Sequence, residues 1–446
     1  MGPMRLAALL LLASQAALAQ TVVLRGARVI DGTGAPPRED AVVVVKGDRI
    51  AAVGTAKTIK VPKGARVLDA RGKTIIPGLI NAHGHVGLVV GGQNRADGYT
   101  RENVQAQLAQ YEQYGVTSVL TLGLNRDLVY DLRDQQRRGE AGGAALFTAG
   151  RGIGVPAGAP PVPAAPDQVY RPANPEEAVA DVREAARHHP EFLKIWVDDV
   201  YGKFPKLQPA IFKAAIDEAH RSGMRVASHV FYLEDAKAVI RDGVDALAHS
   251  VRDRPVDPEL VDLMKARGTF YVATLTVDES SFAFLDDASL LDDPFLAGAL
   301  SPEALQKLRA PEFRAKAGSD PNLPRIREAL KNGMQNLKAL ADAGVKIAFG
   351  TDSGANPVRI QGWAEHRELE LMVRAGLSPM QAIVAATRGS AAMLGAKDRG
   401  TLQPGNRADF LVLGGNPLED IRNTRKLLAI WHGGREVRSA AMAARD

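Results

Sequence analysis

Two histidines placed two positions apart are the first residues of this chain that could share chemistry. His83 and His85 lie in the stretch IIPGLINAHGHVG, directly after an apolar run. Side chains alternate between the two faces of a β-strand, so both imidazoles would project to one side and could hold one cation together. An isolated pair of this kind could also belong to a polar turn, so its meaning depends on where other candidate ligands fall.

Two more histidines end successive apolar segments. His229 ends RVASH and His249 ends ALAH, twenty positions later, which leaves room for one helix between two strands. The carboxyl ends of parallel strands meet on one face, so the two rings would lie near each other. A lone histidine at either place would be a hydrogen-bonded structural residue, whereas two successive strands ending alike favour a second pair of ligands.

A carboxylate and an amine extend this set of candidates. Asp352 follows an apolar segment in KIAFGTDSG, where an ionised carboxylate is costly unless it is paired or bound to a metal. It is a candidate ligand and a candidate base, and the alternative is a helix N-cap.

Lys194 lies in the apolar strand FLKIW. Burial lowers the pKa of a lysine, and the neutral amine can react with carbon dioxide to give a carbamate whose oxygens bridge two cations. The alternative is a lysine that extends its ammonium group to solvent.

The elements that must position these residues alternate between short apolar strands and amphipathic helices. Eight strand candidates occur in the middle of the chain: GLINAHGH, TSVLTLG, ALFTAGR, FLKIWVD, RVASHV, ALAHSV, FYVATLT and KIAFGTD. Their spacing leaves room for a helix after each, which is typical of βα units around a parallel sheet. Eight is the number that closes a (β/α)8 barrel, so we predict an α/β protein with a TIM-like barrel.

The two ends of the chain share a residue pattern that differs from that of the middle. From Thr21 the sequence alternates apolar runs with Gly, Pro and Asp, and GTLQPGNRADFLVLGGNP repeats this pattern near the other end. We therefore expect the ends to pair into a composite β-sandwich domain. The predicted division is a signal peptide at 1–19, sandwich segments at 20–76 and 397–446, and the metal-dependent barrel at 77–396.

The first twenty residues are typical of a secretory signal. Arg5 precedes an apolar segment from Leu6 to Leu12, and Ala17 and Ala19 form a small-residue cleavage pattern. The apolar segment is too short for a membrane span of about 20 residues, which disfavours an anchor. We predict export to the periplasm or the medium, with cleavage after Ala19.

Composition excludes several kinds of chemistry. The 446-residue chain has no cysteine, so disulfides, thiolate ligands and cysteine nucleophiles are ruled out, and a metal must be held by nitrogen and oxygen. The net charge of +5 is mild, and no Lys/Arg run is interleaved with aromatic residues. We therefore predict no nucleic-acid partner.

Together these segments resemble the amidohydrolase superfamily. The resemblance rests on PGLINAHGH, on FGTDSG, on the strand positions of Lys194, His229 and His249, and on the terminal segments VIDGTG and GTLQPGNRADFLVL. It implies a binuclear centre in which His83 and His85 hold one divalent metal together with Asp352. His229 and His249 would hold a second metal, and a carboxylated Lys194 would bridge both together with a hydroxide. We expect zinc, although these ligands also suit manganese, iron and cobalt.

The resemblance also implies a reaction. Asp352 would take a proton from the bridging water and pass it to the leaving amine. The segments FLKIWVDD, HVFYLEDAKAVIRDGVDALAHS and AEHRELELMVRAGLSPMQAIVAAT resemble the branch with prolidase-like dipeptidases, Xaa-Arg/Lys carboxypeptidases and mycotoxin-amide hydrolases. The implied substrate is a small peptide-like or N-acyl amino acid amide. Members of this branch often carry Tyr where this chain has Phe231, so the next residue, Tyr232, is a candidate for carbonyl polarisation or substrate binding.

A substrate with a free carboxylate needs a cationic partner. Arg252 and Arg254 follow the sixth predicted strand and Arg151 follows the third, so each is a candidate, although arginines in such loops are often solvated. We further expect the chain to associate with copies of itself. The alternative functions are hydrolysis of a lactone, cyclic amide or phosphotriester at the same metals, and a noncatalytic scaffold that keeps the fold without them.

Overall fold

Eighteen strands and fifteen α-helices are found in the computed structural model, which describes residues 21–437 and 439; the predicted signal peptide lies outside these residues. Strands β1 to β18 are Thr21–Val29, Arg38–Lys46, Arg49–Thr55, Arg66–Asp69, Thr74–Pro77, Leu79–Gly84, Val89–Val90, Gln93–Asn94, Val116–Thr121, Ala145–Thr148, Phe192–Trp196, Arg225–His229, Ala246–Ala248, Phe270–Val272, Lys346–Ala348, Phe410–Leu413, Leu427–His432 and Arg435–Val437. Helices α1 to α15 are Arg101–Gln113, Leu128–Arg137, Pro175–Ala186, Pro209–Arg221, Leu233–Arg241, Pro258–Arg267, Thr276–Glu279, Ala283–Asp286, Pro294–Ala297, Pro302–Arg309, Pro311–Gly318, Leu323–Asp342, Trp363–Arg374, Pro379–Val384 and Ser390–Leu394.

One eight-stranded sheet contains strands from both ends of the chain. Its order is β18-β17-β16-β5-β1-β2-β3, and β4 pairs with β1 beside this path. The two ends meet where β16 pairs antiparallel with β5, with Phe410 opposite Pro77. Phe410 stacks on Trp431 with ring centroids 5.4 Å apart, in an apolar core that also includes Val43 and Ile75. The boundaries between domains stay a prediction.

Each of the eight predicted middle segments contains one strand of a mixed α/β region. These strands lie in two parallel sheets with the orders β10-β9-β6 and β11-β12-β13-β14-β15. Backbone hydrogen bonds link the sheet edges, because Ala82 N donates to Phe349 O at 2.8 Å and Glu191 N donates to Thr148 O at 3.0 Å. The first and last strand segments therefore lie side by side.

Alternation along the strands decides which side chains face inward. In β11, Phe192 packs in an inner apolar cluster, whereas Leu193 and Ile195 pack in the cluster that includes the helices. Lys194 is two positions from Phe192 and therefore shares its side of the strand. His229 is related to Ala227 of β12 in the same way. The inner cluster includes Ile80, Ala82, Leu120, Phe192, Ala227, Ala246, Ala248, Val272 and Ala348.

The helices form because apolar residues recur along one face and polar residues cap the ends. In α4 the buried positions include Ile211, Ala215 and Ile216, at helical spacing. The N-cap of α6 is Asp257, whose side chain accepts a hydrogen bond from Leu260 N. The long connection after β14 folds into the short helices α7 to α11. No helix in the described part of the chain combines the length and apolarity needed to cross a bilayer.

Candidate metal centre

Two imidazoles and one carboxylate meet where β6 ends. His83 Nε2 and His85 Nε2 lie 3.2 Å and 2.8 Å from the same oxygen, Oδ1 of Asp352. One ligand atom from each residue can be chosen so that all three lie within 4.8 Å of one another. All three residues are buried. Such a group could hold a metal ion.

Asp352 is not placed as the sequence suggested. We expected it to close the eighth strand, but β15 ends at Ala348 and Asp352 lies in the loop beyond it. Its backbone has a φ of 57°, a left-handed conformation that costs free energy in a residue other than glycine. Its backbone N donates to His83 O at 2.7 Å, which holds the loop against the end of β6. The carboxylate thus returns to the two imidazoles.

Charge keeps Asp352 ionised despite its burial. Burial alone would raise the pKa of this carboxyl, but Arg359 and the hydrogen bonds with His83 and His85 hold that pKa well below its usual range. Arg359 Nη1 lies 3.0 Å from Asp352 Oδ2. Burial, together with the charge of Lys194, lowers the pKa of His83 to about 3, so this ring is neutral. A neutral imidazole beside a carboxylate is the protonation state in which these groups bind cations.

Lys194 is buried on the same side of β11 as Phe192, and no neighbouring group accepts a hydrogen bond from its amine. Its side chain is 1% exposed, and its Nζ has no hydrogen-bond partner among the described residues. Burial lowers the pKa of this amine to about 7, so much of it is neutral near neutral pH. The centroid of the Trp196 ring lies 5.5 Å from Nζ. The structure therefore excludes the solvent-exposed alternative.

The remaining two histidines lie beside this group. The ring centroids of His229 and His249 are 4.4 Å apart, and those of His83 and His249 are 4.6 Å apart. Burial lowers the pKa of His229 and of His249, so both rings favour the neutral form. The structure thus brings the four predicted imidazoles into one chain of neighbouring rings.

Each of these two rings is held from behind by a residue that sequence reasoning missed. Asp198 Oδ2 lies 2.8 Å from His229 Nε2, and Thr274 Oγ1 lies 2.7 Å from His249 Nδ1. A hydrogen bond at one ring nitrogen selects the tautomer and leaves the other nitrogen as the lone-pair donor. These contacts leave Nδ1 of His229 and Nε2 of His249 for a cation. Asp198 could have been noticed because it follows a strand in FLKIWVDD, whereas Thr274 gives no sequence signal.

A buried carboxylate also ties β6 to the loop that carries Asp352. Glu365 Oε1 accepts hydrogen bonds from Asn81 Nδ2 at 2.7 Å, Thr351 Oγ1 at 2.7 Å and Ser353 Oγ at 2.6 Å. Asn81 Oδ1 in turn accepts from the backbone N of His83 at 2.9 Å. Burial raises the pKa of Glu365, although these hydrogen bonds oppose the rise. This network fixes the two segments that carry the His/His/Asp group.

Three predicted substrate contacts are engaged elsewhere. The hydroxyl of Tyr232 donates to Asp199 Oδ1 at 2.8 Å. Arg254 is half exposed and donates to Asp253. The guanidinium of Arg151 contacts Asp127 at 3.1 Å and Glu184 at 3.2 Å, on residues of α2's N-cap and of α3. These contacts occupy the Tyr232 hydroxyl and part of each guanidinium, and the role of the three residues in substrate binding stays a prediction.

Arg252 is the most deeply buried of the three candidate arginines. It is 5% exposed, and its Nε and Nη1 make no hydrogen bond within the described residues. Its nearest carboxylate oxygen is Oδ2 of Asp278, 3.5 Å from Nε. A buried guanidinium with unused donors is costly unless a ligand satisfies them. Arg252 therefore remains the candidate for binding an anionic substrate group.

The donor atoms of this centre suit a bound cation, and the protein alone does not satisfy all of them. The centre contains imidazole nitrogens, a carboxylate oxygen and an unpartnered buried amine, and the chain has no thiols. Nitrogen and oxygen ligands of this kind suit zinc, manganese, iron and cobalt. Buried polar atoms without partners are uncommon in proteins, so their presence here indicates that a bound group completes the site.

Comparisons with known proteins identify the family of this chain. A sequence model of the amidohydrolase family matches residues 74–437. Ochratoxinase of Aspergillus niger is 30% identical over 272 residues, which cover 58% of this chain and 49% of that protein, so this chain spans about half the length of the curated relatives of that name. An imidazolonepropionase of Deinococcus radiodurans is 25% identical over 398 residues, which cover 86% of this chain and 88% of that protein.

Solved structures give the same result for the fold. A Xaa-Pro dipeptidase with methionine bound in its active site is 26% identical, with a TM-score of 0.73, and the match covers 94% of this chain and 100% of that chain. The structure of A. niger ochratoxinase is 24% identical, with a TM-score of 0.72, over 94% of this chain and 96% of that one.

Proposed function

The chain belongs to the amidohydrolase family, and on this premise we propose that it is a metal-dependent hydrolase of an amide bond in a peptide-like or N-acyl amino acid substrate. The observation that carries the proposal is the convergence of His83, His85 and Asp352 beside the buried amine of Lys194. The names of ochratoxinase and of the Xaa-Pro dipeptidase are consistent with this class of bond.

The proposal includes a closed barrel. The eight parallel strands would form a (β/α)8 barrel with the centre at its carboxyl end, where catalytic groups of such folds lie. The hydrogen bonds from Ala82 N to Phe349 O and from Ile153 N to Lys194 O, at 2.8 Å and 2.7 Å, support closure between the two sheets. The composite sandwich domain and its boundaries are part of the same proposal.

Two divalent cations, with zinc expected, would complete the centre. His83, His85 and Asp352 would hold one cation, and His229 and His249 would hold the other. A carboxylated Lys194 would bridge the two, which would also relieve the unpartnered state of its nitrogen. Bound cations of this kind lower the pKa of water from 15.7 to about 7 and polarise the scissile carbonyl.

The chain itself would handle the proton. The Asp352 carboxylate, kept anionic by Arg359, would accept a proton from the attacking water. It would then donate that proton to the nitrogen of the leaving amine as the carbon–nitrogen bond breaks. Asp198 and Thr274 would keep His229 and His249 in the tautomers described above. Arg252 would bind the substrate carboxylate and orient the amide.

A substrate panel tests the proposal. The metal-loaded chain is offered dipeptides, N-acyl amino acids and lactones, and the products are identified by mass spectrometry. We expect release of a free amino acid from at least one amide. Efficient lactone opening without any amide turnover would reject the amide assignment in favour of the alternative electrophiles. Purified chain without stoichiometric metal, and unable to take it up, would favour the noncatalytic scaffold.

Localisation and assembly stay predictions. Export rests on residues 1–19, and association of the chain with copies of itself rests on the resemblance alone. Fractionation of the producing cells and light scattering of the purified chain address them separately.

A further inference from the structure

Two aromatic residues and two arginines cluster around the loop that follows His229. Phe231 lies two positions after His229, and the ring of Tyr201 meets it edge to face, with centroids 5.2 Å apart. The guanidinium of Arg252 lies 5.1 Å from the Phe231 centroid. Arg325, at the start of α12, lies 4.3 Å from the centroid of Tyr201. The turn after β11, the loop after β13 and the start of α12 therefore meet around one phenylalanine.

Neither Phe231 nor Tyr232 provides an unoccupied hydroxyl group next to the centre. Phe231 has none, and the hydroxyl of Tyr232 donates to Asp199 Oδ1 at 2.8 Å while the Lys206 ammonium lies 3.9 Å from its ring. Any tyrosine hydroxyl on this side of the centre must therefore come from another element.

Tyr201 meets this requirement. Among the described residues its hydroxyl makes no hydrogen bond, and its backbone has a φ of 64°, which belongs to a tight turn after β11. Burial raises the pKa of Tyr201, and the charges of Asp278, Arg252, Arg325 and Asp198 also act on it. Asp198 is the partner of His229, so the hydroxyl lies within electrostatic range of the centre.

Arg252 supplies the second, independent observation. Its side chain is more than nine-tenths buried and keeps Nε and Nη1 without hydrogen bonds. Oδ2 of Asp278 lies 3.5 Å from Nε of Arg252, so it partly balances the positive charge but accepts no hydrogen bond from Nε. A donor pair made of a guanidinium and a phenol matches a carboxylate, which accepts at two oxygens.

From this placement we infer that Tyr201 is a specificity-determining residue: its hydroxyl and the guanidinium of Arg252 together bind the free carboxylate of the substrate, and Arg325 holds the Tyr201 ring in place. The inference rests on the proposed function for its substrate class. It assigns to the turn after β11 a role that the sequence assigned to Tyr232. The preferred ligand is an amide whose leaving group is an α-amino acid rather than a simple amine.

The test measures binding of two product analogues. Competition calorimetry or inhibition with the metal-loaded chain gives the dissociation constants of phenylalanine and of phenethylamine, which lacks the carboxylate. In Tyr201→Phe we expect the constant for phenylalanine to rise about 5- to 10-fold, the value of one lost hydrogen bond, and that for phenethylamine to stay within about 2-fold. Arg252→Gln should raise the phenylalanine constant further, because a charge-assisted bond is lost.

Tyr232→Phe is the matched control, since it also removes one hydroxyl. That hydroxyl accepts only a long hydrogen bond of 3.4 Å from Arg325 Nη2, so the variant leaves the guanidinium on the Tyr201 ring. We expect the ratio of its two dissociation constants to equal that of the wild type. A Tyr201→Phe variant that weakens both ligands equally, or neither, would overturn the inference. Thermal melting of each variant verifies that it is folded. A chain that binds phenylalanine through Tyr201 but cleaves no amide would refute the proposed function and leave this inference standing.

Discussion

The two halves of the metal centre are built on different principles. In the Asp352 half, formed by His83, His85 and Asp352, the side chains contact one another at 2.8 Å to 3.2 Å. In the Lys194 half, formed by Lys194, His229 and His249, the amine has no partner and the rings are held by groups behind them. In the first half the Asp352 carboxylate already contacts both imidazoles, although Nδ1 of each ring has no hydrogen-bond partner among the described residues, whereas in the second half the charged group itself, the amine, has no partner.

The difference separates stability from binding. Where a carboxylate already balances imidazoles and Arg359, removing it leaves unbalanced groups and should weaken the fold as well as the chemistry. Where a buried amine has no partner, its presence costs folding free energy that only a bound group repays. The same substitution strategy should therefore change the stability of the metal-free chain in opposite directions in the two halves.

Lys194→Met should have the largest effect on function and the opposite effect on stability. We expect loss of at least one metal and nearly all turnover, because the side chain can no longer form a carbamate. The metal-free variant should be more stable by about 1–3 kcal/mol, since an unsatisfied buried polar atom is removed. Metal analysis, turnover and thermal melting without metal measure these three quantities.

The sign of the stability change follows from the pKa of Lys194. Burial lowers it to about 7 in the folded state, from the 10.5 expected when unfolded. At pH values between 7 and 10.5, unfolding therefore takes up protons, and the wild type gains stability as the pH rises through this range. The stability of the wild type falls furthest below that of Lys194→Met at pH values under 7. The gap between Lys194→Met and the wild type should narrow toward pH 10. Unimpaired metal binding in the variant would show that no carbamate bridge exists.

Lys237 provides a matched control. It is also buried, at 4% exposure, but its ammonium lies 2.6 Å from Asp257 and 2.8 Å from Glu259. Lys237→Met should lower the melting temperature, because paired carboxylates lose their cation. A rise in both lysine variants would mean that apolar packing, rather than the missing partner, explains the gain.

Asp352→Asn should reduce turnover by about 10²- to 10⁴-fold, the usual contribution of a general acid–base. Unlike Lys194→Met, it should also lower the melting temperature of the metal-free chain, because Arg359 then faces a neutral amide. Asp286→Asn, which frees the exposed Arg327, is the control for a simple loss of an ion pair. Equal losses of stability in the two variants would contradict the special position of Asp352.

The sequence predicted the features that local patterns determine, and it did not predict those that depend on how distant loops fold. The family resemblance is confirmed by the family model, and the eight apolar segments became strands because alternation and spacing are local signals. The grouping of His83 and His85 with Asp352 is implied by the family resemblance, and the three side chains meet in the structure. The roles of Asp198, Thr274 and Arg359 were not predicted, because each depends on how a loop turns after its strand. The resemblance points to Tyr232 because it follows Phe231, and Tyr201 gives no sequence signal, since only the turn after β11 brings its ring to Phe231.

The smallest effects should come from the partners behind the two imidazoles of the Lys194 half. Asp198→Asn keeps an acceptor for His229 Nε2 but removes its charge, so affinity for the second metal should fall about 10- to 100-fold. Thr274→Val removes a neutral partner of His249 and should cost about 2- to 10-fold. Chelator competition measures both affinities, and melting without metal verifies that each variant is folded. Because neither residue contacts the Asp352 half, the affinity for the metal there should be unchanged. If both variants weakened the two metals alike, the halves would not be separable, and the centre would have to be treated as one cooperative unit.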